Sequence, residues 1–128
     1  FEYLENVFHT SLHVKTLYEQ KPRSIRLGEK IRLHFDDYFE WPSLHSSEQS
    51  DGTCQGLRSH FGILSNGKVV PCCLDKDGVM ELGDLHVNTL SNILNAPRTQ
   101  AIIEGFKHDK AVESLCQKCT YKHRFKEI

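Results

Sequence analysis

Five cysteines carry the chemistry open to this chain: Cys54, Cys72, Cys73, Cys116 and Cys119. Thiolates are soft ligands, and four of them suit either zinc or an iron–sulfur cluster. Cys116-Gln-Lys-Cys119 is a pair with a two-residue gap, so a tight backbone turn brings both sulfurs to one metal or cluster. Cys72 and Cys73 are adjacent, and neighbouring Cβ atoms point too far apart for an ordinary disulfide. On a strand their side chains leave opposite faces, so one of the two faces a shared site and the other faces core or solvent. An odd cysteine count with one CxxC fits a reducing compartment better than a secreted disulfide scaffold, and the expected location is the cytoplasm.

Competing readings of the same residues are weaker. Isolated cysteines are often small buried hydrophobes, but here all five fall between residues 54 and 119. A thioredoxin-like CxxC expects a strand before it and a helix beginning at its first cysteine, and "KAVESLCQKCTYKHRF" offers no βαβ context. A zinc ribbon expects two CxxC knuckles, where this chain has one. Zinc bound by four cysteines stays open as chemistry.

The elements that must position these sulfurs follow from periodicity. "HFGILS" and "KVVPCC" flank Asn66-Gly67, a strong hairpin signal that predicts a type I′ turn. That hairpin folds Cys72 back toward Cys54, so its base can offer two sulfurs and the CxxC two more. Asp75 to Gly78 reads as a second turn, with Asp75 and Asp77 as turn residues, and "VMELGDL" as a short extended piece. Leu90, Ile93 and Leu94 share a helical face, with Asn88 or Thr89 as cap. Pro97 interrupts, and a second helical stretch follows. The tail around Cys116 and Cys119 reads as loop or turn.

Upstream, Phe1, Leu4, Phe8 and Leu12 predict one helix over roughly 2–19, closed before Pro22. The alternation Ile25, Leu27, Ile31, Leu33, Phe35 predicts extended strand with a bulge or bend at Gly28. "DDYFEWPSL" reads as a loop that packs its aromatics. In it Asp36, Asp37 and Glu40 form a solvated turn and Trp41 is a packing anchor. "SLHSSEQSDGT", residues 43–53, has linker or exposed-loop composition. A helix and one or two strands cannot close a core alone, so this part is expected to be the edge of a larger domain.

The eight histidines are scattered. His9 and His13 stand i, i+4 without an HExxH frame. His60, near the hairpin base, is a candidate for supporting a bound cluster. Lys118, inside the CxxC, is read first as a solvated lysine, although a cation there would raise a cluster's reduction potential.

The cysteine spacing resembles a known family. Cys54, twelve residues, Gly67, four residues, Cys72 is similar to the opening signature of SPASM domains, the C-terminal auxiliary-cluster domains of radical S-adenosylmethionine enzymes. "CCLD" resembles the family's Cys-Cys-x-Asp stretch and "ELGDL" its short Leu-Gly strand. "TLSNILNAPRTQ" resembles its conserved helix, with Leu94 where Trp is common, and "LCQKC" the closing CxxC. The resemblance runs from about residue 54 to 120.

The central cysteine block of the full two-cluster pattern is missing, which implies the shorter, single-cluster "twitch" type. The resemblance implies an auxiliary [4Fe-4S] cluster on Cys54, Cys72, Cys116 and Cys119, with Cys73 as the alternative to Cys72. It also implies a role in electron transfer or in positioning a peptide or small-metabolite substrate. The CxxxCxxC that binds the catalytic cluster and S-adenosylmethionine does not occur in this sequence. The chain is therefore expected to be inactive alone and to partner the radical barrel of its own longer protein.

The expected fold class is α+β, a small hairpin-plus-helices domain over 51–128. Residues 1–50 are expected to be the C-terminal edge of a partial (β/α) barrel and a linker. A 128-residue chain with 38% hydrophobic and 26% charged residues can pack a modest core. Its net charge of −1 gives no electrostatic case for nucleic acid or an anionic membrane. The opening residues do not read as a signal peptide, and with no initiating Met the chain is expected to be a piece of a longer one.

Overall fold

The computed structural model describes residues 1–36 and 38–125. Asp37, part of the expected solvated turn, lies outside the described residues. The chain forms two compact units, Phe1–Tyr38 and Phe39–Ile128. The architecture is small α+β, with two antiparallel sheets and several short helices. Among the described residues, no helix is long and apolar enough to cross a membrane.

In the first unit, helix α1 (Glu2–Phe8) and helix α2 (Val14–Gln20) stand where one helix was expected. The break has a local cause. His9 adopts the left-handed conformation with φ 48° and ends α1. The Leu12 N–H then donates to the Glu5 carboxylate at 2.6 Å instead of joining a helical ladder. Strands β1 (Ser24–Arg26) and β2 (Arg32–His34) pair antiparallel, with Ile25 opposite Leu33. The expected extended run is thus a hairpin, and Gly28 lies in its loop, where its N–H and that of Leu27 both donate to the Ile31 carbonyl. Leu12 and Leu27 are the buried hydrophobics of this unit.

The second unit carries the cysteines. Strands β3 (Gly62–Ile63), β4 (Lys68–Val70) and β5 (Gly83–Asp84) form an antiparallel sheet in the order β3-β4-β5. Val69 pairs with Ile63 on one side and Gly83 on the other, and Val69 and Val70 are fully buried. The β3–β4 connection is not the expected type I′ turn. Gly67 alone has positive φ, at 81°, and its N–H donates to the Leu64 carbonyl. That is a three-residue loop closed by a glycine bulge, in which only one position requires the left-handed region.

Helix α3 (Leu90–Leu94) begins at Thr89, whose hydroxyl accepts the Asn92 N–H. Helix α4 (Pro97–Lys107) starts on Pro97 itself, a position where the missing N–H costs nothing. Thr99, fully buried, donates its hydroxyl to the Ile93 carbonyl and ties the two helices together. The tail is more ordered than a loop. It forms helix α5 (Ser114–Gln117) and a 3₁₀-helix (Thr120–Phe125). Ile102, Phe106 and Ala111 make the central cluster, with Cys54, Leu57, Leu82 and Cys116 packed against it.

Candidate metal centre

Each cysteine is placed by a separate device. The segment before Cys54 is irregular, as its composition predicts, but it is bonded to the rest of its unit. The Asp51 carboxylate accepts the Ala111 N–H, and the Thr53 hydroxyl donates to the Phe106 carbonyl at 2.8 Å. These two bonds pin Cys54 to the C-terminal end of α4. Gly56 then passes close to the end of the hairpin: a Cβ there would lie 3.1 Å from the Pro71 carbonyl and 3.6 Å from the Cys72 Cβ. A bare backbone is what lets the Cys54 loop reach Cys72.

Cys72 follows β4, with Pro71 fully buried before it. The chain then turns at once, the Asp75 N–H donating to the Cys72 carbonyl at 3.3 Å. Asp75 is more than a turn residue. Its carboxylate is 1% exposed and accepts the N–H groups of Val79 and Met80, both at 2.8 Å. This bidentate bond holds buried Met80 where its sulfur lies 3.5 Å from the Cys116 sulfur.

Cys116 sits on α5, and the Cys119 N–H returns to the Cys116 carbonyl at 3.3 Å, closing the CxxC turn. Arg98 braces this turn from α4. Its guanidinium forks onto Glu113 at 2.7 and 2.9 Å and also donates to the Glu81 carbonyl. Lys118 does not reach into the site: its ammonium donates to the Ser46 carbonyl at 2.7 Å.

Cys54, Cys72, Cys116 and Cys119 all line one cavity of about 540 Å³. Cys73 also borders it, but is the exposed member of the set, whereas the other four are half-buried. Phe39, Trp41, Tyr121 and Phe125 make an aromatic wall of the same cavity. Phe39 meets Tyr121 edge-on at 4.9 Å, and Trp41 packs on Phe39 at 6.0 Å. His60 stands on the rim, hydrogen-bonded to the Ser59 hydroxyl, while His9 and His13 cap helices of the first unit.

The electrostatics of Cys72, Cys116 and Cys119 suit a site for a cation. Burial pushes the Cys72 thiol up to about 11, while N–H groups of Leu74 and Asp75 aimed at its sulfur act the other way. Burial also raises Cys116 strongly, and the charges of Cys72, Cys54 and Cys119 add to the effect. Cys119 is raised by burial and eased by N–H groups of Tyr121 and Lys122. Crowded, desolvated thiols resist ionisation until positive charge arrives, and sulfurs that accept backbone N–H bonds are prepared for the thiolate state.

A single zinc ion with Zn–S bonds near 2.3 Å would need its sulfurs about 3.8 Å apart. Among the described residues, no three His, Cys, Asp or Glu are drawn together for one ion. Four soft sulfur donors do line one cavity, a donor set of the kind that holds an iron–sulfur core or zinc.

A family model described as SPASM, an iron-sulfur cluster-binding domain, matches residues 54–120. The chain belongs to this family. Comparisons with curated proteins and with solved structures returned no significant match.

Sequence reasoning missed Lys122 and Met80, and read Asp75 only as a turn residue. Lys122 is 1% exposed, lines the cavity and bonds to the CxxC backbone. Met80 backs Cys116, and the Asp75 carboxylate organises the turn between them. For Lys122 the one available signal was its spacing, three residues past Cys119, which lets a long side chain fold back on a helical turn.

Proposed function

We propose that the chain is the auxiliary-cluster domain of a radical S-adenosylmethionine enzyme, holding one [4Fe-4S] cluster on Cys54, Cys72, Cys116 and Cys119. The observation that carries this reading is the convergence of four half-buried thiols, from three separate segments, on a single cavity. When bound, the cluster supplies one-electron transfer. The chain's own residues hold it, shield it and set its charge environment.

With four protein sulfurs available, no iron needs a substrate atom as ligand, so electron transfer is favoured over direct substrate ligation. The aromatic side chains give the cavity one apolar wall, and charge effects are stronger beside apolar groups than in open water. On this reading Cys73 is the spare thiol, and residues 1–50 are the trailing edge of a partial (β/α) barrel and its linker. The partners are that barrel and, through it, a peptide or small-metabolite substrate. The working location is the cytoplasm.

The test is metal and sulfide content, with an absorption spectrum, on protein purified and reconstituted without oxygen. About four iron and four sulfide per chain, with a broad band near 400 nm, are expected. One zinc and no sulfide after reconstitution would replace this reading with a structural zinc domain.

A further inference from the structure

Met80 is the single methionine of the sequence. It is 3% exposed and lines the cysteine cavity. Two bonds fix its place. The Asp75 carboxylate accepts its N–H at 2.8 Å, and the Cys116 thiol donates to its thioether, with the two sulfurs 3.5 Å apart. The four-cysteine site has no use for that thioether. Zinc takes thiolate, imidazole and carboxylate ligands, and a [4Fe-4S] core is held by four cysteines. A thioether beside a thiolate is instead a donor pair suited to Cu(I), a soft, singly charged ion.

The geometry lets both sulfurs hold one ion. With metal–sulfur bonds of about 2.3 Å, two donors share an ion whenever they stand closer than twice that length, and this pair stands at 3.5 Å. The ion enters where the thiol hydrogen now lies. Cys116 gives its proton to water, its sulfur bonds the copper, and the copper stays cuprous, so no electron is exchanged.

The charges also match. One Cu(I), one thiolate and one thioether together carry no net charge, so holding them beside the buried Phe106 and Leu115 of the same cavity incurs little desolvation cost. A divalent ion on the same pair would keep a positive charge there. Cys54, Cys72 and Cys119 on the cavity wall offer further sulfur.

We propose that Cys116 and Met80 form a binding site for Cu(I) in the metal-free chain. The site goes beyond the cluster reading and stands without it, because its ligand is a single ion bound in the absence of iron and sulfide.

The whole metal-free chain is titrated with Cu(I) without oxygen, in competition with a chromogenic cuprous chelator. Met80→Leu keeps the apolar volume and removes the sulfur, and it is expected to weaken Cu(I) binding at least about tenfold. The second readout needs no variant. The chain is labelled with selenomethionine, loaded with one equivalent of Cu(I) and measured by X-ray absorption at the copper edge. A selenium neighbour to copper is expected.

An unsubstituted chain that cannot hold Cu(I) against the chelator overturns the proposal. So does a copper shell of sulfur without selenium, and so does an unchanged Cu(I) affinity in a folded Met80→Leu variant. Should that variant not fold, the copper–selenium measurement decides. Iron and sulfide uptake, the test of the cluster reading, plays no part in either readout.

Discussion

Replacing Asp75 removes the device that joins the Cys72 turn to Met80. Its carboxylate accepts two backbone N–H groups at 2.8 Å, one of them at buried Met80 and one at part-exposed Val79. In Asp75→Ala the Met80 N–H is left buried without its acceptor, at a cost of about 2 kcal/mol, and the Val79 N–H, which water can reach in part, adds about 1 kcal/mol. The expected loss is thus roughly 3 kcal/mol, or a fall in melting temperature on the order of 15 °C for a unit of this size. Asp75→Asn keeps one acceptor oxygen and turns a donor toward the second N–H, so it should lose about 2 kcal/mol. Urea unfolding followed by circular dichroism, with wild type and variants handled alike, reads both values from the midpoint at unchanged slope. A loss below about 1 kcal/mol in Asp75→Ala would refute the reasoning, because the two N–H groups would then have found other partners.

Further predictions test other parts of the site. Gly56→Ala would force its Cβ to within 3.1 Å of the Pro71 carbonyl; it should reduce iron uptake more than it changes helical content, as a metal assay beside circular dichroism will show. Arg98→Ala removes the fork onto Glu113 and the bond to Glu81, and should cost about 1–2 kcal/mol by urea unfolding, since bidentate geometry exceeds the usual surface pair. The metal-free chain should lose stability as pH rises from 9 toward 11. In that window unfolded thiols ionise near 9.0 while folded Cys72 holds its proton to about 11, so rising pH draws the chain toward the unfolded state. A melting temperature that is flat across that window would contradict this. Cys116→Ala should lower the unfolding temperature of the reconstituted protein, because cluster binding adds to folding energy; an unchanged temperature would contradict it.

The second unit was more legible in the sequence than the first. Thr89 as a cap, Pro97 as a punctuation mark and the β3–β4 hairpin all rest on local chemistry, and local chemistry is what a sequence displays. The turn type was misread because Asn66-Gly67 fits both a type I′ loop and a glycine-bulge loop, and only the latter leaves Asn66 at negative φ. The single helix expected at 2–19 failed on a side-chain bond, Glu5 to the Leu12 N–H, that apolar periodicity does not encode. The short helices at 114–117 and 120–125 are too brief to produce a periodic signal. All five cysteines, Cys73 included, line one cavity; the hairpin and the CxxC turn are local motifs that a sequence displays, and the choice among the five came from the family resemblance. Met80 meets Cys116 across 36 positions of chain, a contact no local pattern displays, whereas the bonds of Asp75 and Lys122 are local but depend on side-chain conformations that residue type alone does not specify.

The most direct test of the cluster site is a set of five single variants, Cys54→Ala, Cys72→Ala, Cys73→Ala, Cys116→Ala and Cys119→Ala, reconstituted side by side without oxygen and assayed for iron and sulfide. The account predicts that Cys73→Ala keeps about four iron and four sulfide per chain with the parent spectrum, while each of the other four loses most of both. Full loading of Cys72→Ala together with loss in Cys73→Ala, or full loading of Cys54→Ala, would contradict it.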